Sequence, residues 1–516
     1  MKRVKFWCFL LSGIIFTSSC VLAQTEIDET WKATFHTGDY YPGDNFNDFA
    51  THITCDEDGN VYVTGYITPW GEGAVGLDDF MTVKYNSEGV YQWSARYAGE
   101  DANIDQPAGV IVDDDGNVYV TGKTRDSNQI YSYITIKYSS SGDEQWQDKY
   151  KAASDQDDIP VDIAIDKDGY IYVTGESNGP NYATIKYNSE GVRQWVSRYE
   201  GPSDRDLATA MAVDDSGNVY VTGRSQNEDA HYDYTTVKYN NSGVEQWVVR
   251  YGGSNDEYSY IPADIAVDAT GNVYVTGKSD DEMKGFTDIA TVKYDADGIK
   301  QWDMKYNGAA GDYDEGMAVS IDPSGDVIVT GFTNNDTDAD YITIKYRASD
   351  GQQLWTAIYN GTEENGNDFP VDISVDSAGY IYVVGTSEGD MSGEDYVTLK
   401  YSNDGTPVWL SRYENMLGDF AAAITLNDNG EVFVTGYSID VDNVLNQNDY
   451  LTLKYPGTQV TPTATPTEGP TATPTTGITV TPTPVRIMTP RADINEDGCV
   501  NSEDLIMLMD NWGLCE

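Results

Sequence analysis

The sequence predicts an all-β fold: an eight-bladed β-propeller of four-stranded antiparallel blades, with a small α-helical calcium-loop module at the C-terminus. Three observations predict it. A motif of the form GNVYVTG recurs eight times in a chain of 516 residues. A tryptophan strand that the last copy lacks is present near the N-terminus. A calcium-loop pattern follows a Thr/Pro-rich segment close to the end of the chain.

The first 23 residues have the pattern of a secretory signal peptide. Lys2, Arg3 and Lys5 precede an apolar run, and small residues lead to a cleavage point after Ala23. Cys20 leaves a lipoprotein signal as the alternative, although the residues before it lack the usual apolar side chain. Because no other segment could span a bilayer, we expect a secreted or extracellular protein, with attachment to a cell surface left open.

The chain is strongly acidic. Removal of the signal peptide leaves 28 Lys and Arg against 85 Asp and Glu, a net charge of −57. Eight of the lysines occupy one equivalent repeat position, so the remaining surface carries few cations. Nucleic acid and anionic lipid are therefore poor partners, because both need a cationic surface.

Five cysteines are present, and two of them leave with the signal peptide. Cys55 occupies a position that is valine in other repeats, which favours a buried small hydrophobic residue over a reactive thiol. Cys499 and Cys515 flank the predicted terminal helix in an oxidising compartment and could form a disulfide. Their spacing alone leaves that pairing open.

Each repeat predicts four strands. In the third copy, runs rich in Val, Ile, Thr and Tyr cover 161–165, 170–174, 182–187 and 193–199. Turns of Asp, Asn, Ser and Gly separate the first strand from the second and the third from the fourth, which is typical of hairpins. The unit is therefore an antiparallel meander.

The repeat glycines are 48 to 57 residues apart, a period suited to radial blades. They are Gly65, Gly122, Gly175, Gly223, Gly277, Gly331, Gly385 and Gly436. Eight copies predict eight blades in a domain over 24–455. The eighth copy ends after its third strand at 451–455, and the segment around Trp31 matches the missing fourth strand. We expect this N-terminal strand to complete the last blade and close the ring.

These residues resemble SBBP-type beta-propeller repeats, a family seen in secreted and surface bacterial proteins, over about 30–455. The resemblance implies the propeller fold and no established catalytic residues. The family is usually described as seven-bladed, and the eight copies here depart from that description.

Recognition is expected on the face that carries the loops between second and third strands and the blade-to-blade connections, because these vary freely while the hairpin turns repeat. Aromatic residues among the acids there could stack on sugar rings or contact a protein partner. They are Tyr40, Tyr41, Trp70, Tyr131, His231, Tyr258, Tyr260 and Tyr313. The alternative is that these rings pack against their own loops.

Seven acids recur at the entry to the first strands, with Tyr260 as the exception. They are Asp48, Asp105, Asp158, Asp206, Asp314, Asp368 and Asp419. They could collect cations at the channel mouth. Capping of backbone donors is the favoured interpretation, because Asp does this at strand entries and turns. The turn acids around Asp113 lack the alternating spacing of a calcium loop and are interpreted as hairpin turns.

Catalytic motifs are sparse. With three histidines, His36, His52 and His231, and no GxSxG or HExxH, neither a Ser-His triad nor a zinc hydrolase has a framework. A catalytic carboxylate pair stays open, because so acidic a chain always offers candidates. We assign no catalytic residue, and the repeat tryptophans are interpreted as structural pins between blades.

Residues 456–490 are rich in Thr and Pro and predict an extended linker. In 491–516, oxygen ligands stand at positions 1, 3, 5, 9 and 12 of a loop, with Gly498 at the sharp turn. The predicted Ca²⁺ ligands are Asp493, Asn495, Asp497, the carbonyl of Cys499, Asn501 and Asp504. Asn501 could act through a water molecule, and apolar residues on one helical face follow the loop.

This segment resembles one repeat of a type I dockerin, the module that binds cohesins in extracellular polysaccharide-degrading assemblies. Dockerins normally carry two such repeats, and the single repeat here supplies only half of the usual helix pair. The resemblance implies a cohesin-like partner, to be bound by this half alone. A calcium-stabilised terminal cap without a partner is the alternative.

Together these features predict a secreted, non-enzymatic binding or scaffold propeller with variable acidic loops, attached to an extracellular or cell-surface assembly by a calcium-dependent tail. The alternative is a secreted carbohydrate-active enzyme for polysaccharide degradation with the same attachment module. A carbohydrate or a protein is the expected ligand of the loop face.

Overall fold

A computed structural model describes residues 25–40, 46–69, 78–99, 104–152, 155–179, 181–203, 205–228, 231–252, 259–280, 286–335, 337–361, 366–389, 393–415, 417–439 and 447–457. The chain divides into two units, residues 1–459 and 460–516, and the second lies outside the described residues. The signal peptide, the linker, the Cys499–Cys515 pair and the calcium module therefore stay predictions, as do the exact domain boundaries.

Eight sheets form the blades of the propeller. Seven of them are built on four strands that are consecutive in the chain, and the eighth combines three consecutive strands with an N-terminal strand that closes the ring. Their first strands are β3 (Phe46–Cys55), β7 (Asp105–Val112), β11 (Ile159–Ile165), β15 (Asp206–Val213), β19 (Tyr260–Val267), β23 (Asp314–Ile321), β27 (Asp368–Val375) and β31 (Asp419–Leu426). Their second strands are β4 (Val61–Pro69), β8 (Val118–Arg125), β12 (Ile171–Glu176), β16 (Val219–Gln226), β20 (Val273–Asp280), β24 (Val327–Asn334), β28 (Ile381–Gly389) and β32 (Val432–Ile439).

The third strands are β5 (Asp79–Tyr85), β9 (Tyr131–Tyr138), β13 (Tyr182–Tyr187), β17 (Tyr232–Tyr239), β21 (Thr287–Tyr294), β25 (Ala339–Tyr346), β29 (Gly393–Tyr401) and β33 (Asn448–Tyr455). The fourth strands are β6 (Tyr91–Tyr97), β10 (Glu144–Tyr150), β14 (Arg193–Tyr199), β18 (Glu245–Tyr251), β22 (Lys300–Tyr306), β26 (Gln353–Tyr359), β30 (Pro407–Tyr413) and β2 (Trp31–Phe35). Blade 1 is β3–β6, the next six blades follow in chain order, and blade 8 is β31–β33 with β2.

The predicted closure is confirmed. β2 pairs antiparallel with β33, with Trp31 opposite Lys454 and Phe35 opposite Tyr450, so both ends of the propeller chain share blade 8. A two-residue strand, β1 (Thr25–Glu26), adds in parallel to the outer edge of blade 7. A single helical turn, α1 (Thr37–Tyr40), follows β2 and is the only helix among the described residues.

First strands lie innermost, because those of neighbouring blades contact one another all around the ring. In each blade the pairing of the first and second strands slips by one residue next to the repeat glycine. A Cβ on Gly175 would lie 2.2 Å from the Ile159 carbonyl oxygen, so glycine is needed for this close approach. The sequence repeat of glycine therefore follows from the bulge.

Tyrosine and β-branched residues of the second and third strands fill the space between blades. Tryptophans of the fourth strands pin each blade to the next, as predicted. The indole Nε1 donates to a turn carbonyl of the following blade at 2.9–3.1 Å from Trp31, Trp93, Trp146, Trp195, Trp247, Trp302 and Trp355. Blade 8 offers Trp409 no such turn, because its third and fourth strands come from opposite ends of the chain.

None of the helices in the described part of the chain is both long and apolar enough to cross a membrane.

Candidate binding face and buried acid clusters

The propeller has two unlike faces, which follow from strand direction. First strands end and second strands begin at short turns such as 113–117, and third and fourth strands meet at turns such as 139–143. We call this side the turn face. First strands begin and second strands end on the opposite side, the loop face, together with the connections between blades.

The seven acids at the first-strand entries are fully buried. One carboxylate oxygen of each accepts a backbone N–H at 2.5–2.8 Å, and the donors are Thr37, Gly99, Ala152, Gly201, Gly308, Gly361 and Asn415. In blades 2, 3, 4, 6, 7 and 8 these donors lie in the connection from the preceding blade. The capping interpretation is confirmed, and the acids belong to the blade framework.

Asp158 shows how completely such a carboxylate is used. It accepts the backbone N–H of Ala152 at 2.8 Å and of Asn178 at 3.0 Å, and the Ser177 hydroxyl donates to it as well. Burial raises the pKa of Asp368 and of Asp419, each to about 6, despite similar hydrogen bonds. These carboxylates are engaged by backbone N–H groups inside the blade framework.

The turn acids also act locally. Asp113 accepts the N–H of Asn117 at 2.8 Å and the hydroxyl of Tyr119 at 2.9 Å, so its side chain closes its own turn. Asp166 bonds Tyr170 and Tyr172 in the same way. The prediction that these are hairpin turns is confirmed.

An acidic cleft of about 340 Å³ lies on the turn face between blades 1 and 2. Its acids are Asp56, Glu57, Asp58, Asp113, Asp114 and Asp115. Cys55 lines its inner side, and burial raises the pKa of this thiol to about 11. Cys55 was predicted to be a buried small hydrophobic residue, and the structure shows it only partly buried. Because Asp56 and Asp113 are both engaged in their own turns, the cleft is explained by turn chemistry.

A cluster that the sequence did not predict lies where the ring closes. His36 Nδ1 is 2.7 Å from Asp449 Oδ1 and 3.5 Å from Asp48 Oδ2. Among the described residues, this is the one group of three His, Cys, Asp or Glu whose ligand atoms all lie within 4.8 Å, so it could hold a metal ion. Hydrogen bonds to Asp449 and then Asp48 raise the pKa of His36 to about 10.

The repeat explains this histidine better than a metal does. At the position of Asp449, blades 1, 4 and 7 carry Asp79, Asp233 and Asp395, and an arginine of the fourth strand pairs with each. In blade 8 the arginine position is Thr34, and His36 supplies the cation from two residues further along. The cluster is therefore an ion pair in which protonated histidine replaces arginine.

A second unpredicted group lies on the inner strands of alternate blades. Asp162, Asp264 and Asp372 occupy one repeat position in blades 3, 5 and 7, and His52 occupies it in blade 1. Each carboxylate accepts the N–H of a first-strand residue in the next blade, from Met211, Val319 and Ile424, at 2.8–3.0 Å. They therefore clasp neighbouring inner strands together.

Desolvation dominates the titration of this group. Burial raises the pKa of Asp162 and Asp372 to about 7 and that of Asp264 to about 6. The negative charge of Asp264 contributes to the raised pKa of both Asp162 and Asp372. Burial also lowers the pKa of His52 to about 4, which keeps its imidazole neutral.

The aromatic residues predicted on the loop face differ in their burial and in their contacts. Tyr260 was expected on the surface, but it is 2% exposed and packs 5.4 Å from Tyr251, because it replaces the buried acid of blade 5. Tyr313 is 44% exposed and contacts Phe286, as the packing alternative expects. Lys123 and Arg125 lie over Tyr131.

Of the other residues predicted from the sequence, some make only local contacts or end an element, and the rest lie outside the described residues. The backbone of His231 closes its own turn with Asn227. Tyr40 ends helix α1. Tyr41, Trp70 and Tyr258 lie outside the described residues, as do the predicted calcium ligands Asp493, Asn495, Asp497, Cys499, Asn501 and Asp504.

Comparison with protein families finds SBBP beta-propeller repeats in this chain. The model of that family, described as a beta-propeller repeat, matches residues 92–128, 150–183, 194–229, 246–282 and 355–390. The resemblance is thus confirmed for the repeat. No curated protein matches the sequence.

Some solved structures are similar to this chain at low sequence identity. A europium-containing methanol dehydrogenase is 11% identical, covering 83% of this chain and 93% of its own, with a TM-score of 0.46. Sqt1 from Chaetomium thermophilum is 12% identical, covering 80% and 97%, with a TM-score of 0.49. An ulvan lyase of a new polysaccharide lyase family is 11% identical, covering 72% and 95%, with a TM-score of 0.42. None of these likenesses bears on activity.

Proposed function

We propose that this chain is a secreted binding propeller that recognises its ligand on the loop face and is anchored to an extracellular or cell-surface assembly through its C-terminal tail. One observation carries the binding role. The seven entry acids and the indole N–H groups of seven of the eight repeat tryptophans have partners inside or between blades, so residues that vary between repeats are left for recognition.

The cations support the same division. Lys137 donates to the Ser189 carbonyl of the next blade at 3.3 Å, and Lys238 donates to Ala296 at 3.0 Å. Each of these two ammonium groups also lies 4.8–4.9 Å from the centre of a tyrosine ring, above Tyr119 and Tyr220. These lysines are engaged in contacts between blades, and the net charge of the chain is −54. We therefore do not expect a polyanionic ligand.

Anchoring rests on the sequence of the tail. The oxygen ligands Asp493, Asn495, Asp497, Cys499, Asn501 and Asp504 have the order of a calcium loop. Bound Ca²⁺ would order the loop and present the apolar face that follows it, which includes Leu508 and Trp512, to a cohesin-like partner. The 456–490 linker would let the propeller and the tail bind independently.

Calorimetry on the full chain tests the anchoring step. Ca²⁺ is titrated first, and a type I cohesin is then titrated into the calcium-loaded and the chelator-treated protein. We expect Ca²⁺ heat that is lost in Asp493→Ala and Asp504→Ala, and cohesin heat only in the loaded protein. Asp510→Ala is the matched control, because Asp510 stands in the same tail outside the loop pattern.

Two results would contradict the proposal. Calcium heat without cohesin heat would leave a terminal cap in place of an anchor. Release of soluble sugars from a polysaccharide by the purified chain would make the propeller a carbohydrate-active enzyme.

A further inference from the structure

Two residue positions of each blade lie together near the loop-face end of its first and second strands. One is the residue after the first-strand acid, and the other is the residue after the second-strand glycine. They are paired in register within a blade, as Phe49 with Tyr66 and Phe420 with Tyr437 show. Between neighbouring blades the two positions also meet, as Phe49 meets Tyr437.

These positions divide the ring into unlike halves. In blades 6, 7, 8 and 1 they hold six aromatic residues, which we call the aromatic arc: Phe332, Phe369, Phe420, Tyr437, Phe49 and Tyr66. In blades 2 to 5 the first-strand position holds Gln106, Ile159, Leu207 and Ile261. The second-strand position of those blades holds Lys123, Glu176, Arg224 and Lys278. A feature that half of the repeats lack is not required to build a blade.

The arc contains a continuous run of four rings across the closing blade. Phe420 stacks on Tyr437 with centroids 4.9 Å apart and planes at 20°. Tyr437 meets the edge of Phe49 at 5.0 Å, and Phe49 stacks on Tyr66 at 4.9 Å and 24°. A second pair, Phe332 and Phe369, meets edge to face at 5.2 Å in the adjoining blades.

The rings are rigid and partly open to solvent. All six residues stand on β-strands, so their positions do not depend on a loop conformation. Phe369 is 43% exposed, and the other five are neither buried nor fully exposed. A contiguous apolar patch in this setting marks a binding site more often than an isolated exposed ring does.

A carboxylate borders the four-ring run at the Phe420 end, and a carboxylate and an amide border it at the Tyr66 end. At the Phe420 end, a Cβ on Gly418 would lie 3.1 Å from the Phe420 ring and 3.7 Å from a Glu394 carboxylate oxygen, so that carboxylate stands beside the ring. At the Tyr66 end, Gln106 Nε2 donates to Asp78 Oδ2 at 2.6 Å, and the charge of Asp78 acts on the Tyr66 hydroxyl.

From this arrangement we propose that the aromatic arc binds a neutral polysaccharide chain. Sugar rings present apolar C–H faces that stack on aromatic rings and a rim of hydroxyls that bond carboxylates and amides. The arc offers aromatic rings along its length, and polar groups that can bond sugar hydroxyls stand at the ends of the four-ring run. The inference rests on the proposed binding function and names its ligand class.

The negative charge of the chain disfavours polyanionic polysaccharides as ligands. The chain carries −54, and Glu394 and Asp78 flank the rings, so a uronate or sulfate polymer would meet like charge. The Lys278 ammonium on the other half of the ring is already paired with Glu315 at 2.8 Å. A protein partner is the competing class and is an outcome of the test.

The full chain is tested by affinity electrophoresis and calorimetry with barley β-glucan, xyloglucan, glucomannan and arabinoxylan, with polygalacturonate as the anionic probe. The variants are Phe369→Ala and Phe420→Ala, one in each part of the arc. The controls are Leu207→Ala and Ile261→Ala, which truncate the same repeat position in blades 4 and 5. Thermal melting followed by circular dichroism checks that each variant folds. If Phe420→Ala does not fold, the test rests on Phe369→Ala, because Phe369 is exposed.

We expect at least one neutral polysaccharide to bind, with affinity lost by about tenfold or more in both arc variants and unchanged in both controls. Failure of all four neutral polysaccharides overturns the inference, as does equal loss in variants and controls, or a protein that binds the arc instead. These results leave the proposed binding function standing. New reducing ends formed on a bound polysaccharide would overturn that function while keeping the arc as its platform.

Discussion

His36 Nδ1 lies 2.7 Å from Asp449 Oδ1, and this contact joins the two ends of the propeller chain. His36 follows the N-terminal strand β2, and Asp449 stands on β33, the strand that β2 pairs with. Asp48 of blade 1 approaches the same nitrogen at 3.5 Å. One imidazole therefore connects the closing strand to both sides of the seam between blades 8 and 1.

Replacing His36 by Ala should destabilise the closed ring. Two carboxylates would lose their cation, which costs about 1–3 kcal/mol for buried charge-assisted hydrogen bonds. His36→Arg should retain most of the stability, because arginine pairs with the equivalent acid in blades 1, 4 and 7. Urea unfolding followed by tryptophan fluorescence measures both. Equal loss in the two variants would show that the site needs imidazole itself, as a metal site would.

The same contact predicts a pH dependence. The folded pKa of His36 is about 10, above its ordinary value of 6.5, so the folded state holds this proton more tightly than the unfolded state. Its contribution to stability is complete below pH 6.5 and is lost as the pH rises towards 10. Comparing thermal unfolding of wild type and His36→Arg from pH 6 to 10 checks this. The wild type should lose stability relative to the variant, and parallel curves would contradict the assignment.

The inner-strand carboxylates predict an effect at lower pH. Burial raises the folded pKa of Asp162 and Asp372 from 3.8 to about 7, so the folded state binds more protons than the unfolded state in that window. These two groups therefore make stability fall as the pH rises from about 4 to 7.

The double variant Asp162→Asn/Asp372→Asn should remove this contribution. Thermal unfolding at pH 5 and pH 7.5 gives the comparison, and the variant should gain stability relative to wild type at the higher pH. Asn keeps an oxygen that can accept the N–H of the next blade, so the clasp itself is preserved. A stability difference that does not change with pH would mean that the two carboxylates ionise normally.

The repeat explains why the sequence predicted the fold so fully. Gly175 and its equivalents mark the bulge, Trp195 and its equivalents mark the blade contact, and both signals recur at fixed positions. Even the closure was readable, because a strand absent after Tyr455 has its match at Trp31. Short-range turn chemistry likewise predicted the roles of Asp113 and Asp158.

The proposed binding face was harder to predict from the sequence, for a physical reason. The aromatic residues predicted for recognition were placed in the variable loops, whereas Phe49 and Tyr437 stand on strands and meet only because the ring closes. Contacts between His36 and Asp449 depend on the same closure, across more than 400 residues. A comparison of the repeats position by position, asking where half of them turn aromatic, would have found the arc.

Asp314 distinguishes a framework acid from a catalytic one. Its buried carboxylate accepts the Gly308 N–H at 2.6 Å and the Thr333 hydroxyl, so Asp314→Ala should cost about 2–3 kcal/mol of stability by leaving these donors unpaired. Asp312→Ala, two residues away and partly exposed, should cost well under half of that. Urea unfolding measures the difference. An unchanged midpoint in Asp314→Ala, with loss of a polysaccharide-cleaving activity, would make it a catalytic residue.

Cys55 should react slowly with alkylating reagents. Burial raises the pKa of its thiol to about 11, so the thiolate is scarce at neutral pH, and the side chain is only partly exposed. Iodoacetamide labelling at pH 8, with the intact protein and the urea-unfolded protein compared by mass, should show at least a tenfold slower reaction in the folded state. Equal rates would mean that the cleft beside Cys55 is open.

The turn glycine that faces Trp195 offers the sharpest test of the blade contact. Gly243 has φ of +75°, and a Cβ there would lie 2.6 Å from Trp195 Cδ2. Gly169 has a similar φ of +78°, but a Cβ there would meet nothing within 4 Å. Gly169→Ala should therefore cost about 1 kcal/mol through backbone strain alone. Gly243→Ala should cost about 1–3 kcal/mol more, because the indole must move from its carbonyl partner. Equal destabilisation of the two variants in urea unfolding would show that the tryptophan contact adjusts freely and does not pin the blades.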